Sequence, residues 1–155
     1  MPTNLIIGAG AVGTVLAAYL TKARQPVKLY VREQELQQLQ GQPQLRLERA
    51  NRAPPLISPA PPLTTALSPQ PGDNLFICVK HPDLQSVIDE LNAFTGGKLA
   101  EGVRLIPCLN GVGIARRLRN HFANADVAHM TVMFNAQLLQ PLHAKIRTKP
   151  VVFLD

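Results

Sequence analysis

The stretch Leu5-Ile6-Ile7-Gly8-Ala9-Gly10-Ala11-Val12-Gly13-Thr14 limits the fold more than any other part of the chain. An apolar run meets three glycines in G-x-G-x-x-G spacing. Gly8 permits the tight turn out of a strand. Gly10 has no Cβ, so a pyrophosphate can approach the backbone. Gly13 lets the next helix lie close on the sheet. That helix would point free N–H groups and its positive dipole end at phosphates. The spacing alone is a weak signal, and its surroundings strengthen it. Asn4 to Ile7 reads as a buried parallel strand. Val12, Val15, Leu16, Tyr19, Leu20 and Ala23 fall on one apolar helix face. Gln25-Pro26 stops the helix, and Val27 to Val31 reads as the next strand. The unit predicts a dinucleotide site built on Gly8, Ala9, Gly10, Ala11, Val12 and Gly13.

The end of that second strand bears on cofactor choice. An acidic residue about 20 residues past the glycines accepts hydrogen bonds from the ribose of NAD. Here the place carries Tyr30-Val31-Arg32. A carboxylate would repel a 2′-phosphate, whereas a guanidinium grips one with charge-assisted hydrogen bonds. Arg32 therefore indicates NADP(H). Glu33 keeps a carboxylate within reach of a ribose and leaves NAD open.

Glu33 to Gln40 reads as a short helix with Leu36 and Leu39 inward. Gln44 to Arg49 alternates apolar and polar residues, as a half-exposed strand does, with Leu56-Ile57 as its returning partner. Ala53 to Gly72 holds seven of the chain's 14 prolines. It reads as a stiff surface crossover with at most one helical turn around Leu63 to Leu67. Asn74 to Val79 is a second buried strand. It ends at Lys80, which points at the cofactor edge because ligands sit at the carboxyl ends of strands in open α/β sheets. Asp83 to Phe94 is a helix with Leu84, Val87, Ile88 and Leu91 on its core face. Val103 to Cys108 is a third strand, followed by Asn110-Gly111-Val112-Gly113 on the ligand side. A helix with Ile114, Leu118 and Phe122 inward comes next, its arginines solvated. Asp126 to Asn135 reads as one apolar strand, Gln137 to Lys145 as mixed, and Val151 to Leu154 as a last strand.

The remaining composition narrows the function classes. With 46% hydrophobic and 17% charged residues, the chain is a folded domain. No apolar run reaches the roughly 20 residues of a membrane span. No signal peptide precedes the first strand, so the cytoplasm is the expected compartment. The net charge of +6 comes from dispersed cations with no aromatic interleaving, and nucleic-acid binding is not expected. Cys78 and Cys108 lie in apolar runs and read as small buried thiols. No histidine pair has metal-ligand spacing, so no metal site is expected.

Gly8 to Gly13, Arg32, Lys80 and Asn110-Gly111-Val112-Gly113 together resemble the N-terminal domain of the ketopantoate reductase (2-dehydropantoate 2-reductase) family. The resemblance covers essentially the whole chain. It implies a Rossmann-type, doubly wound α/β fold with a mainly parallel sheet and helices on both faces. Residues 1–155 would form the NADP-binding domain, and the family's C-terminal helical substrate domain would lie outside them. It implies NADPH as cofactor and reduction of ketopantoate to pantoate, on the way to pantothenate and coenzyme A. Gly8 to Gly13 would hold the pyrophosphate and Arg32 the 2′-phosphate. Lys80 matches the family's cofactor-site lysine. Asn110 matches the asparagine between nicotinamide and substrate, and Ala136 a backbone position near the nicotinamide. The family's general-acid lysine lies in the helical domain, so no catalytic residue is assigned here. A small 2-keto acid is the expected partner, and a homodimer is compatible with the reading. Another NAD(P)-dependent hydroxyacid dehydrogenase, or a non-enzymatic NADP(H) sensor, remains an alternative.

Overall fold

Alternate residues of the central strands enter two different cores, so the sheet they form is covered on both faces. The computed structural model describes residues 2–155. In chain order the elements are β1 (Asn4–Ile7), α1 (Ala11–Lys22), β2 (Val27–Tyr30), α2 (Glu33–Gln40), β3 (Gln44–Glu48), β4 (Leu56–Pro59) and β5 (Leu63–Thr64). Then come β6 (Asn74–Ile77), α3 (Leu84–Thr95), β7 (Arg104–Pro107), α4 (Ile114–His121), β8 (Asp126–Val127), β9 (Met130–Val132), β10 (Ala136–Gln140), β11 (His143–Ile146) and β12 (Val152–Leu154).

The main sheet is six-stranded and parallel, in the order β5-β2-β1-β6-β7-β8. Counted within that sheet alone, the order is 3-2-1-4-5-6, the Rossmann arrangement. Leu5 and Ile7 of β1 enter a core with Leu84 and Ile88 of α3 and Leu118 of α4. Ile6 between them enters a second core with Val15, Ala17 and Ala18 of α1. Fold class and helices on both faces are as the sequence implies.

A further layer lies beyond α1. A four-stranded sheet in the order β10-β11-β3-β4 packs on the helix face away from the main sheet. A helix held between two sheets must be slim on both sides. The buried residues of α1 are accordingly Gly13, Thr14, Val15, Ala17 and Ala18. The stripe from Val12 to Ala23 expected from periodicity is only partly buried. On the outer sheet, Arg46 Nε donates to Glu48 Oε1 at 2.5 Å, and His143 Nε2 lies 3.2 Å from the same oxygen. The bond from Arg46 holds the Glu48 carboxyl below its ordinary value, and His143 adds to it.

Three expectations need correction. Leu63 to Leu67 is not a helical turn. Leu63-Thr64 forms β5, an edge strand on β2, with Leu29 N–H donating to Pro62 O and Val31 N–H to Thr64 O, both at 2.9 Å. An edge accepts prolines because no neighbour needs their missing donors. Asp126 to Asn135 is not one strand. Its first part, β8, pairs with β7, while β9 pairs antiparallel with β12. The break falls at Ala128-His129, where His129 Nε2 turns to Leu109 O at 3.2 Å. The mixed stretch after it is a hairpin, β10 with β11. Its partner β3 lies far away in sequence.

Candidate functional site

The order in which strands are added to the main sheet reverses between β1 and β6, although the two run parallel. Helix α1 leaves β1 toward one face, and α3 follows β6 on the other. Their starts diverge and leave a crevice at the carboxyl ends of both strands, where open α/β sheets take ligands.

The three glycines do different work in that crevice. Gly8 has φ +105°, and a Cβ there would lie 2.7 Å from the Cys78 carbonyl oxygen. It makes the turn and lets β1 and β6 stay close. At Gly13 a Cβ would fall 1.9 Å from the Gly8 carbonyl oxygen, so Gly13 closes the helix onto the loop itself. Gly10 is neither strained nor crowded. It caps α1 at φ −79°, and nothing lies within 4 Å of where its Cβ would be. The protein makes no steric demand for glycine there. The open space is the cradle that a pyrophosphate approaching the first turn of α1 would fill.

A central cavity of about 330 Å³ is lined by Gly8, Ala9, Gly10, Arg32 and Lys80, with Tyr30 and Cys78 in its wall. An outer cavity of about 420 Å³ continues from it past Tyr30, Arg32 and Glu33. An inner cavity of about 420 Å³ continues in the other direction past Gly10, Ala11, Val12, Lys80 and Asn110. Shared walls make the three cavities one elongated cleft. Gly13 is buried and acts through the loop's shape. Ala136 starts β10 and packs against the α1 core. It is not among the residues lining these cavities, whereas nearby Val132 and Phe134 line the inner one.

Arg32 sits at the N-terminus of α2, held there as its carbonyl accepts from Glu35 N–H at 2.9 Å. Its Nε lies 4.0 Å from Glu90 Oε1. Lys80 leaves β6 in extended conformation, φ −73° and ψ 155°, just before a short 3₁₀ turn over His81–Asp83. Asn110 is exposed at the end of β7. The following Gly111 has φ +150°, and a Cβ there would lie 2.9 Å from Ile114 Cδ1. That glycine lets the Asn110 loop settle onto the start of α4.

The sequence reading missed Glu90. Its Oε2 is buried without a hydrogen-bond partner among the described residues, and burial raises its carboxyl above the ordinary value. The signal was present: Asp83, Val87 and Glu90 stand at i, i+4 and i+7, one helical face, and all line the central cavity. The cleft thus carries two cations flanked by Glu35, Asp83 and Glu90 rather than uniform positive charge. Among the described residues no group of His, Cys, Asp and Glu is placed to hold a metal ion. No helix among them is long and apolar enough to cross a membrane.

Strand order and cleft define a Rossmann-type α/β domain of the dinucleotide-binding architecture. The chain belongs to the ketopantoate reductase family: the sequence model described as Ketopantoate reductase PanE/ApbA matches residues 4–154. Solved structures agree. A PanE/ApbA family ketopantoate reductase from Ralstonia eutropha is 27% identical with a TM-score of 0.77, over 97% of this chain and 48% of its own. 2-Dehydropantoate 2-reductase from Geobacter metallireducens shares the fold at 19% identity and TM-score 0.79, over 99% of this chain and 48% of its own. D-mandelate dehydrogenase, solved with NADH and anilino(oxo)acetate, shares it at 19% identity and TM-score 0.77, over 98% and 47%. The chain spans about half the length of these proteins. No curated protein matches it.

Proposed function

We propose that this domain is the cofactor-binding half of an NADPH-dependent 2-keto-acid reductase acting on 2-dehydropantoate in the cytoplasm. The observation that carries the reading is the pairing of Gly10, open to the cleft for no internal reason, with Arg32 at the end of β2. The first-turn N–H groups of α1, at Ala11 and Val12, would donate to the pyrophosphate, aided by the helix dipole. Arg32 would donate to the 2′-phosphate and trade its weak pairing with Glu90 for a stronger one. Lys80 supplies a mobile positive charge between the central and inner cavities, within reach of phosphate or ribose. Asn110 offers a donor and an acceptor, which suits a nicotinamide amide on one side and a keto acid on the other. Val132 and Phe134 line the inner cavity and limit water there.

When bound, NADPH supplies the hydride that a 2-keto carbon accepts. The ketone oxygen then needs a proton. We assign that proton, and most substrate contacts, to a helical domain outside residues 1–155. These residues alone would bind cofactor and turn over poorly.

A second reading, use of NADH, draws on Glu33 and Glu90, which put carboxylates around Arg32 where a ribose hydroxyl could donate. Titration of wild-type and Arg32→Asp protein with both nucleotides decides between them. The proposal expects wild-type protein to prefer NADPH, and Arg32→Asp to weaken NADPH by about a hundredfold, or roughly 2.7 kcal/mol, with NADH little changed. Equal losses for both nucleotides would remove the 2′-phosphate contact.

A further inference from the structure

Cys78 and Cys108 are far apart in sequence and adjacent in space. Strands β6 and β7 run parallel in register, Ile77 opposite Pro107. Each cysteine follows its strand by one residue, and Cys108 N–H donates to Ile77 O at 2.9 Å, which continues the ladder. Parallel neighbours stand about 4.8 Å apart, inside the Cα separation of about 4.4–6.8 Å that a disulfide accepts. Period-two alternation puts Cys78 on the same sheet face as Phe76, and Cys108 on that of Ile106. These four residues share one core. Both cysteines line the inner cavity, where Cys108 is buried and Cys78 half-buried. Cys108 Sγ lies 3.9 Å from Met130 Sδ.

We propose that Cys78 and Cys108 form a dithiol that a hydroperoxide converts into a reversible disulfide in the floor of the cleft. Cys78 is the more exposed of the two residues and takes the oxidant first. Its sulfur, as thiolate, attacks one peroxide oxygen. The O–O bond breaks, Cys78 becomes a sulfenic acid, and with hydrogen peroxide the other oxygen leaves as water. The Cys108 sulfur then attacks Cys78 sulfur. The S–S bond forms, the S–O bond breaks, and the hydroxyl leaves with the Cys108 proton as a second water. Two thiols have lost two hydrogens and two electrons, and the peroxide has become two waters. A hydrogen bond to Cys108 and burial both push the Cys78 thiol up, so the reaction is slow beside that of an activated cysteine.

The disulfide would not be silent. The Cys78 carbonyl supports Gly8, with no room even for a methyl group between them. Closing the pair from strand spacing to the Cβ separation of about 3.5–4.5 Å that a disulfide takes shifts Cys78 and displaces the loop that, on the proposed function, cradles the pyrophosphate.

The test treats the reduced protein with hydrogen peroxide, alkylates remaining thiols, and maps peptides by mass spectrometry. The expected product is one cross-linked peptide pair joining Cys78 to Cys108. It should be lost on treatment with dithiothreitol and absent from Cys108→Ser. NADPH affinity should fall about tenfold on oxidation and return on reduction, a typical size for coupling between sites. Oxidation that leaves both thiols alkylatable, or that carries Cys78 to a sulfinic acid without the cross-link, overturns the dithiol. A cross-link with unchanged NADPH affinity overturns its effect on the loop. Reduced protein that binds no NADPH refutes the proposed function instead, and the cross-link still decides the dithiol.

Discussion

The two rims of the main sheet both carry polar side chains and use them in opposite ways. At the amino rim, polar groups satisfy one another. Asp73 is buried and accepts from Thr3 N–H and Gln70 N–H, each at 2.8 Å. Asn74 Nδ2 donates to Asn4 Oδ1 at 3.0 Å, and Asn4 Nδ2 to Pro26 O at 3.1 Å. At the carboxyl rim, among the described residues, the Arg32 side chain makes a 4.0 Å contact with Glu90, and Glu90 Oε2 is buried without a partner. Buried polar groups are normally paired, because an unpaired one costs about 1–3 kcal/mol. One rim is therefore a finished piece of architecture. The other holds hydrogen-bonding capacity that is not spent among the described residues, as the proposed nucleotide site requires.

Substitutions can separate the rims. The largest effect is expected at Gly13→Ala, where the new methyl would strike the Gly8 carbonyl. The backbone must move, at a cost of about 3 kcal/mol or more, so chemical unfolding should show a broken fold and cofactor binding should fall with it. A stable Gly13→Ala protein would mean the loop is softer than its packing indicates. Asp73→Ala comes next. It strands two backbone donors and should cost about 2–3 kcal/mol in urea unfolding, while the molecules that remain folded keep the wild-type affinity for NADPH. Loss of affinity there would show that the rims are coupled.

Glu90→Gln gives the smallest effect, with a definite sign. Burial raises the Glu90 carboxyl, so the folded protein holds that proton at higher pH than the unfolded chain. The contribution to stability is present below the ordinary carboxylate range and is lost as pH rises through the raised value. Wild-type protein should gain on Glu90→Gln as pH falls. At neutral pH the variant should be more stable by no more than about 0.5 kcal/mol, because the side chain is partly solvated. It should also bind NADPH about two- to threefold better, since a carboxylate has left Arg32. Weaker binding would assign Glu90 to direct contact with the nucleotide.

The carboxyl rim was the more legible of the two in sequence. Gly8 to Gly13, Lys80 and Asn110 each follow an apolar run directly, and a strand end fixes a position more firmly than any propensity. The amino rim gave no such signal, because Asp73 and Asn74 look like any turn before a strand. The layer over α1 was legible only in pieces. Leu45 and Leu47 alternated as a half-exposed strand should, but the pairing of β3 with β11 joins distant segments. That pairing also explains the error over α1. Periodicity finds one apolar face, whereas a helix between two sheets buries its small residues on both sides. Glu90 and the cysteine pair were missed for a related reason: each depends on which elements become neighbours.

The claim that the carboxyl rim is built around a nucleotide is tested most directly by calorimetric titration of NADPH into wild-type and Gly10→Ala protein. The added methyl would enter space that the protein leaves open, so unfolding should shift by less than about 1 kcal/mol. The account predicts saturable binding to wild-type protein, weakened about tenfold or more, or roughly 1.4 kcal/mol, by that methyl. Equal affinity in the two proteins, or no binding to the wild type, would contradict it.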